Sequence, residues 1–431
     1  MKIAVAGTGY VGLVTGVCLA EVGNKNVVCV DIDENKVNLM KSGVSPIYEN
    51  DLQDLMIKNY EAKRLDYTTD YKTAYKDADV ILIAVGTPER SDGSANLDYI
   101  KEVAKQIAKN ITKDTLVVIK STVPIGTNDE IEEYIKNNLN HDVRVELASN
   151  PEFLSQGTAV QDTLYASRIV IGVESEWAKD ILESIYKPFN QPIVVTNRNS
   201  AEMIKYASND FLALKISFMN DMANLCEIVG ANIEDVAKGM SYDDRIGSKF
   251  LKAGIGYGGS CFPKDTKALH WLATHNGYEL KTVKAAIEVN ENQKLRLAKK
   301  ASKLVESFQN MKIAVLGLTF KPETDDIREA PSIPNIQYLI ERGAKVTAFD
   351  PVGIENTKKI FKDNIKYTMD IDEAIEDAEI CFIMTEWKDI RDYKLEKYKE
   401  KMNRALILDG RNCYSVDDMK NLGIEYYSIG R

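Results

Sequence analysis

The run Gly254-Ile255-Gly256-Tyr257-Gly258-Gly259-Ser260-Cys261-Phe262-Pro263-Lys264-Asp265 places a thiol, an ammonium and a carboxylate within a few residues of one another. A thiol attacks as its thiolate, and a neighbouring cation such as Lys264 favours that form. Asp265, four positions after Cys261, suits a group that orients a water or handles a proton. The glycines on the other side of the cysteine let backbone approach a substrate closely, so the thiol can reach it. Cys261 equally fits a small buried hydrophobe like Cys18, Cys29, Cys226, Cys381 and Cys413, and spacing alone leaves both readings open.

A second constellation opens the chain. Gly7-Thr8-Gly9-Tyr10-Val11-Gly12 follows the apolar run Ile3–Ala6, precedes a helical pattern, and is followed 19 residues after Gly12 by Asp31 at the end of the next apolar run. In this context Gly7 permits the tight turn, Gly9 lets N–H groups approach a pyrophosphate, and Gly12 allows close helix packing. The helix N-terminus turns its partial positive charge toward the phosphates. Asp31 can accept hydrogen bonds from ribose hydroxyls and repels a 2′-phosphate, which favours NAD over NADP.

These residues need elements to hold them. Across residues 1–195, short apolar runs at 3–6, 27–30, 80–85, 116–119, 143–147 and 169–171 alternate with amphipathic stretches, the pattern of a doubly wound parallel sheet. Residues 306–431 repeat it more weakly. Met311-Lys312-Ile313-Ala314-Val315-Leu316-Gly317 nearly copies the first seven residues, Val346-Thr347-Ala348-Phe349-Asp350 echoes 27–31, and 380–384 and 405–408 supply further strands. The second copy, Gly317-Leu318-Thr319-Phe320-Lys321, lacks the later glycines and gains a lysine, so it suits a different phosphate ligand. Between the two, residues 196–305 read as helical. A stretch from Ala201 without Pro or Gly until Gly230 is long enough for one helix of about 30 residues, or ~45 Å. Its apolar positions Leu212, Ile216, Met219, Met222 and Leu225 would serve a dimer interface or be covered by the chain itself. The expected architecture is α/β: two Rossmann-like domains joined by a central helical domain.

Composition narrows the partners. The chain has 431 residues and a net charge of −10, which excludes the basic surface that sequence-independent nucleic-acid binding requires. No apolar stretch approaches membrane-spanning length and the first residues enter a strand directly, so a cytoplasmic protein is expected. Six scattered cysteines and three histidines indicate neither a disulfide framework nor a metal site.

The cysteine run resembles the G-x-G-G-S-C-F-P-K-D signature of the UDP-glucose/GDP-mannose dehydrogenase family. Further motifs of that family occur in order: Val85-Gly86-Thr87-Pro88, Ser121-Thr122-Val123-Pro124-Ile125-Gly126-Thr127, Asn150-Pro151-Glu152-Phe153-Leu154, Glu202-Met203-Ile204-Lys205, Asp244-Arg245-Ile246-Gly247, Phe320-Lys321-Pro322 and Asp326-Ile327-Arg328-Glu329. The resemblance spans the whole chain. It implies an NAD-dependent, four-electron oxidation of the C6 alcohol of UDP-glucose to UDP-glucuronate, using two NAD. Cys261 is then the nucleophile that forms a thiohemiacetal and a thioester. It further implies that Lys205 and Asn209 stabilise oxyanions, that Thr122 and Asp265 hold a proton-carrying water, and that Glu152 serves thioester hydrolysis. Lys205 and Asn209, at i and i+4, share one helix face.

For the cofactor, the resemblance adds Tyr10, Val11, Lys36, Thr87, Thr122, Lys264 and Arg328 to Gly7, Gly9, Gly12 and Asp31. For the nucleotide sugar it implies Glu152, Phe153, Leu154, Lys205, Asn209, Phe250, Tyr257, Gly258, Phe320, Lys321 and Arg411, with Arg245 reaching in from a second copy of a homodimer. A diphosphate held by so acidic a chain needs several such cations. Two departures stand out. Gln156 replaces a glutamate usual in the family, and since an amide takes no proton, the acid work falls to Glu152 or Asp265. The loop Tyr165-Ala166-Ser167-Arg168 lacks a proline common there. The rivals are the same chemistry on GDP-mannose or a UDP-N-acetylhexosamine, and a redox-silent NAD(H)-binding sensor. Phe262 and the Gly256-Tyr257-Gly258-Gly259 lead-in resemble the UDP-glucose branch, and a sensor has no need of Cys261, Lys205, Asn209 and Asp265 together.

Overall fold

The computed structural model describes residues 1–24 and 26–431, which divide into two compact units, 1–208 and 209–431. The first unit is built on an eight-stranded sheet. Its strands are β1 (Ile3–Ala6), β2 (Val27–Val30), β3 (Leu65–Thr68), β4 (Val80–Ile83), β5 (Thr115–Ile119), β6 (Val145–Ser149), β7 (Ile169–Gly172) and β8 (Ile193–Thr196), in the order β3-β2-β1-β4-β5-β6-β7-β8. Helices cover both faces, so the central strands β1, β4 and β5 are buried throughout and, apart from Thr115 at the start of β5, read as apolar runs. The order reverses between β1 and β4, which opens a crevice at their carboxyl ends for a ligand. Within this doubly wound sheet, β7 pairs antiparallel to β6, through Ser149 and Gly172, so the sheet is parallel from β3 to β6 and again from β7 to β8.

In the second unit, β9 (Lys312–Leu316), β10 (Lys345–Phe349), β11 (Lys366–Thr368), β12 (Ile380–Ile383), β13 (Leu406–Asp409) and β14 (Glu425–Tyr427) form a parallel sheet ordered β11-β10-β9-β12-β13-β14. It repeats the first sheet's winding. The two glycine turns even share one device: an aspartate at the end of the neighbouring strand holds the turn's N–H groups. Asp31 accepts from Thr8 N at 3.0 Å, and Asp350 accepts from Leu318 N at 2.7 Å and Thr319 N at 3.3 Å. The copies then diverge. Asp350 is fully buried and also accepts from Val352 N, Gly353 N and the Trp387 indole, which leaves it no capacity for a ribose.

The helix Arg198–Val229 has 32 residues, about 48 Å at 1.5 Å per residue. Its interior carries no Pro or Gly, and it ends where Gly230, at φ +75°, takes the left-handed conformation and donates to Cys226 O at 2.9 Å. In the first unit, Glu202 on this helix accepts from Gly126 N at 2.7 Å, Asn128 N at 3.0 Å and Asn128 Nδ2 at 2.7 Å. That fixes the start of the helix Thr127–Asn137 and accounts for two motifs at once. No helix among the described residues is long and apolar enough to cross a membrane, and no group of three metal-ligating side chains occurs among them.

Candidate active site

In the first unit, the glycine turn is closed by packing. Gly7 sits at φ +95°, and a Cβ on Gly12 would lie 2.0 Å from Gly7 O, so the helix Tyr10–Glu21 can only lie this close to β1 without a side chain there. A Cβ on Gly9 would meet nothing within 4 Å, and no side chain caps the helix at Gly9. Open space over uncapped N–H groups fits a pyrophosphate. The Tyr10 hydroxyl donates to Tyr48 O, and Val11 and Lys36 are half-buried around the turn. Lys36 lies close enough to Asp31 to help hold it charged. Burial pushes the Asp31 carboxyl up, but hydrogen bonds from Thr8 and Asp33 outweigh it and hold the group below its ordinary value. Oδ2 already accepts from both Thr8 N and Thr8 Oγ1, whereas Oδ1 accepts from Asp33 N and keeps a lone pair for a ribose hydroxyl.

Beyond β4 and β5, Thr87 Oγ1 donates to Thr122 O at 2.9 Å and Ser121 Oγ donates to Val85 O at 2.7 Å, which ties the two strand-end loops together. After β6, Glu152 is buried and held from both ends. Leu154 N donates to one oxygen at 2.7 Å, while Lys205 Nζ donates to the other at 2.9 Å and to Glu152 O at 2.6 Å. The Phe153 ring lies 5.4 Å from Lys205 Nζ and 3.8 Å from the Arg168 guanidinium, both cations over its face. Lys120, which the sequence offered no reason to single out, is also buried and donates to Asn150 Oδ1 at 3.0 Å. Burial lowers its pKa to about 8, with Glu152 countering and Lys205 adding to the shift. Two ammoniums against one carboxylate leave this pocket net positive, suited to an oxyanion.

In the second unit, Cys261 is half-buried at the N-cap of the helix Phe262–His275, where the helix dipole favours a thiolate. Burial pushes the Cys18 and Cys29 thiols up to about 12, as befits inert core residues. The Arg328 guanidinium feels the Cys261 charge and is itself held in a two-pronged bond by Asp326 at 2.9 and 2.7 Å. One turn along the helix, Asp265 is almost fully buried. It accepts from Asn209 Nδ2 at 2.7 Å and Lys264 Nζ at 2.6 Å, so Lys264 is committed to the carboxylate in this structure.

The glycine cluster has a second reason beyond access. A Cβ on Gly258 would lie 2.5 Å from Glu329 O, one on Gly259 would lie 2.8 Å from the Phe320 ring, and Gly259 N donates to Arg328 O at 2.8 Å. The cluster is small because the turn after β9 packs into it. Asn290 then clamps the Tyr257 backbone, accepting from its N at 2.8 Å and donating to its O at 3.1 Å. Tyr257 stacks edge-on against Phe262 at 5.8 Å, and Phe250, at φ +65°, lies 6.3 Å from the same ring.

Arg411 lines a cavity of about 180 Å³ with Ile216, Asn220, Gly254, Glu386 and Asn412. A void of ~150 Å³ accepts a benzene ring, so there is room for one six-membered ring. Asn220 Oδ1 accepts from Gly254 N at 2.8 Å, whereas its buried Nδ2 has no partner among the described residues, a donor available to a ligand carbonyl. Arg411 itself donates to Met384 O at 2.9 Å, Phe320 O at 3.2 Å and Gly256 O at 3.3 Å. Lys321 Nζ lies 5.8 Å from the centre of the Phe320 ring and is not part of that cavity lining. Arg245 stands apart, its side chain 90% exposed and paired with Asp243.

Sequence comparison places this geometry in a class. The chain matches the models of the UDP-glucose/GDP-mannose dehydrogenase family in all three parts: the NAD binding domain at residues 1–190, the central domain at 199–292 and the UDP binding domain at 314–416. It belongs to that family and is an NAD-dependent nucleotide-sugar dehydrogenase. It is 50% identical to a UDP-glucose 6-dehydrogenase of Bacillus subtilis strain 168, over all of this chain and 98% of that one. It is 46% identical to a UDP-glucose 6-dehydrogenase of Rhizobium meliloti strain 1021 over the full length of both. A solved UDP-glucose dehydrogenase from Pyrobaculum islandicum superposes with a TM-score of 0.92 at 34% identity, covering 99% of this chain and 96% of that one. A UDP-D-ManNAc dehydrogenase from Pyrococcus horikoshii gives 0.87 at 27% identity, covering 100% of this chain and 99% of that one.

Proposed function

We propose that the chain oxidises the C6 alcohol of UDP-glucose to the carboxylate of UDP-glucuronate through an aldehyde and a thioester on Cys261. The observation that carries this reading is Cys261 itself, half-exposed at a helix N-terminus whose first turn holds the Asn209–Asp265–Lys264 network. Gly7, Gly9, Gly12 and Asp31, with Thr87, Thr122 and Arg328, would hold NAD, which when bound would supply the electron-pair acceptor for each of the two oxidations. Cys261 attacks the aldehyde carbon, and its proton passes to a water held by Asp265 and Thr122. Lys205 and Asn209 donate to the oxygen that becomes negative. Glu152 then positions the water whose oxygen displaces the sulfur, restoring the thiol. Arg411 and Lys321 bind the diphosphate, and the ring-sized cavity lined by Asn220 takes the uracil.

UDP-glucose is favoured over a UDP-N-acetylhexosamine by the higher identity to relatives named for it, 50% and 46% against 27%. Incubation with limiting UDP-glucose and excess NAD should yield two NADH per sugar. One NADH would indicate a simple alcohol dehydrogenase, and none would remove UDP-glucose as substrate.

The working form is proposed to be a homodimer built on segment 196–305. Of the positions the sequence suggested, Leu225 alone is among the exposed residues that support it. Met219 is fully buried, while Phe211, Phe218, Leu225, Ile228 and Val229 of the long helix are 48–80% exposed, the first three spaced seven apart. The exposed Arg245 then serves the partner's substrate. Mixing Arg245→Ala with Cys261→Ser, each inactive alone, should restore turnover, because one site of the mixed dimer has both an intact thiol and an intact arginine. Failure to complement, with mixed dimers verified by mass, would exclude a role across the interface.

A further inference from the structure

Asp210 follows Asn209 on the long helix and no step above uses it. It is only 4% exposed, and both carboxyl oxygens are sealed from solvent without a hydrogen-bond partner among the described residues. An ionised carboxylate so placed would forfeit its hydration with nothing in return. Its charged and titratable neighbours are Asp265 and Lys264, from the first turn of the helix Phe262–His275, and Tyr257, from the glycine-rich loop. Lys264 and Asn209 already donate to Asp265, so Asp265 takes the stabilisation of the ionised state and Asp210 is left with the repulsion. Two adjacent buried carboxyls with unequal donors settle into one acid and one anion.

We infer that Asp210 is a positioning residue held as the neutral acid beside the Asp265 anion, and that loss of its proton sets the alkaline limit of turnover. Burial and then the Asp265 charge push the Asp210 pKa up to about 8, with Lys264 only partly countering, which puts the transition inside the working range. Below it the site carries one negative charge, shared with Lys264 and Asn209. Above it a second charge competes for the same ammonium and opposes both the Cys261 thiolate and the oxyanion, in a medium where charges are weakly screened.

The kinetic half of this inference rests on the proposed reaction, whereas the protonation half does not. Three measurements on the full-length protein keep them apart. In pH profiles of kcat, each normalised to its own maximum, the wild-type alkaline limb should fall near pH 8 and move up by at least one unit in Asp210→Asn, since asparagine mimics the neutral acid. An unmoved limb overturns the kinetic claim. For stability, native Asp210 keeps a proton that the unfolded chain has lost, so the Asp210 contribution to wild-type stability falls as pH rises from about 4 to about 8 and levels beyond. The melting temperature of Asp210→Asn should therefore gain on wild type through that window and hold constant above it. A gap that does not vary with pH overturns the protonation claim. Infrared difference spectra, wild type minus Asp210→Asn, should show a protonated-carboxyl stretch at pH 7 that disappears by pH 9, and its absence at pH 7 is equally fatal. If UDP-glucose is not turned over, the proposed reaction fails while the melting and infrared results still decide the state of Asp210.

Discussion

Cys261→Ser should bind UDP-glucose and NAD as the wild type does and form acid at least ~10³-fold more slowly, a loss of about 4 kcal/mol in transition-state stabilisation at 1.36 kcal/mol per tenfold. The substitution is small and the structure gives folding no reason to suffer. The sulfur is half-exposed, and the Ser260 hydroxyl lies 3.8 Å from it. What changes is chemistry. The helix N-terminus and Arg328 can favour a thiolate near neutral pH, but neither brings a serine hydroxyl within reach of ionisation. The ester it would form is also less labile to water than a thioester. The variant should release no more than one NADH per site, with the sugar halted at the aldehyde level. Acid formation at wild-type rates would exclude covalent catalysis by this residue, and weakened binding of UDP-glucose would recast it as a packing residue.

What could be foreseen from sequence follows the degree of burial. Strands β1, β4, β9, β12 and β13 are enclosed on both faces with neighbours on both edges, so almost every position must be apolar and the run is plain to see. Strands β3, β11 and β14 lie at sheet edges or carry alternate exposed positions, and Leu65-Asp66-Tyr67-Thr68 or Lys366-Tyr367-Thr368 looks no different from a loop. The antiparallel turn into β7 depends on how the chain returns after β6, and no local periodicity records that. Site residues divide in the same way. Glycine turns, the terminal acid Asp31 and the cysteine run have fixed spacing and are legible. Lys120 and Asp210 are not, because each becomes unusual only through burial by segments distant in sequence. A lysine just after β5 reads as a strand-ending cation until Asn150, 30 residues on, closes over it. The glycines of the cysteine run were legible for part of their purpose: access for the thiol is a local argument, whereas the Phe320 ring seated against Gly259 comes from another part of the fold.

Lys205→Met should lower turnover by ~10²–10³-fold, the usual loss on removing a donor aimed at a developing oxyanion. It should also destabilise the protein, and the two effects can be separated. Lys205 and Glu152 are a buried pair, their side chains 3% and 8% exposed, joined at 2.9 Å. Removing the ammonium alone leaves a buried carboxylate, which in such pairs costs about 3–5 kcal/mol. Here the Leu154 N–H and the nearby charge of Lys120 offset part of that, so a loss of ~2–3 kcal/mol is expected by denaturant unfolding. Adding Glu152→Gln removes the stranded charge. The double variant should therefore recover most of the lost stability, because an ion pair deleted at both ends costs far less than one broken at one end. Turnover should not recover, since neither substitution restores a cation for the oxyanion. If activity instead returned along with stability, Lys205 would act only by keeping Glu152 satisfied, and stabilisation of the oxyanion would have to be assigned to Asn209 or Lys120.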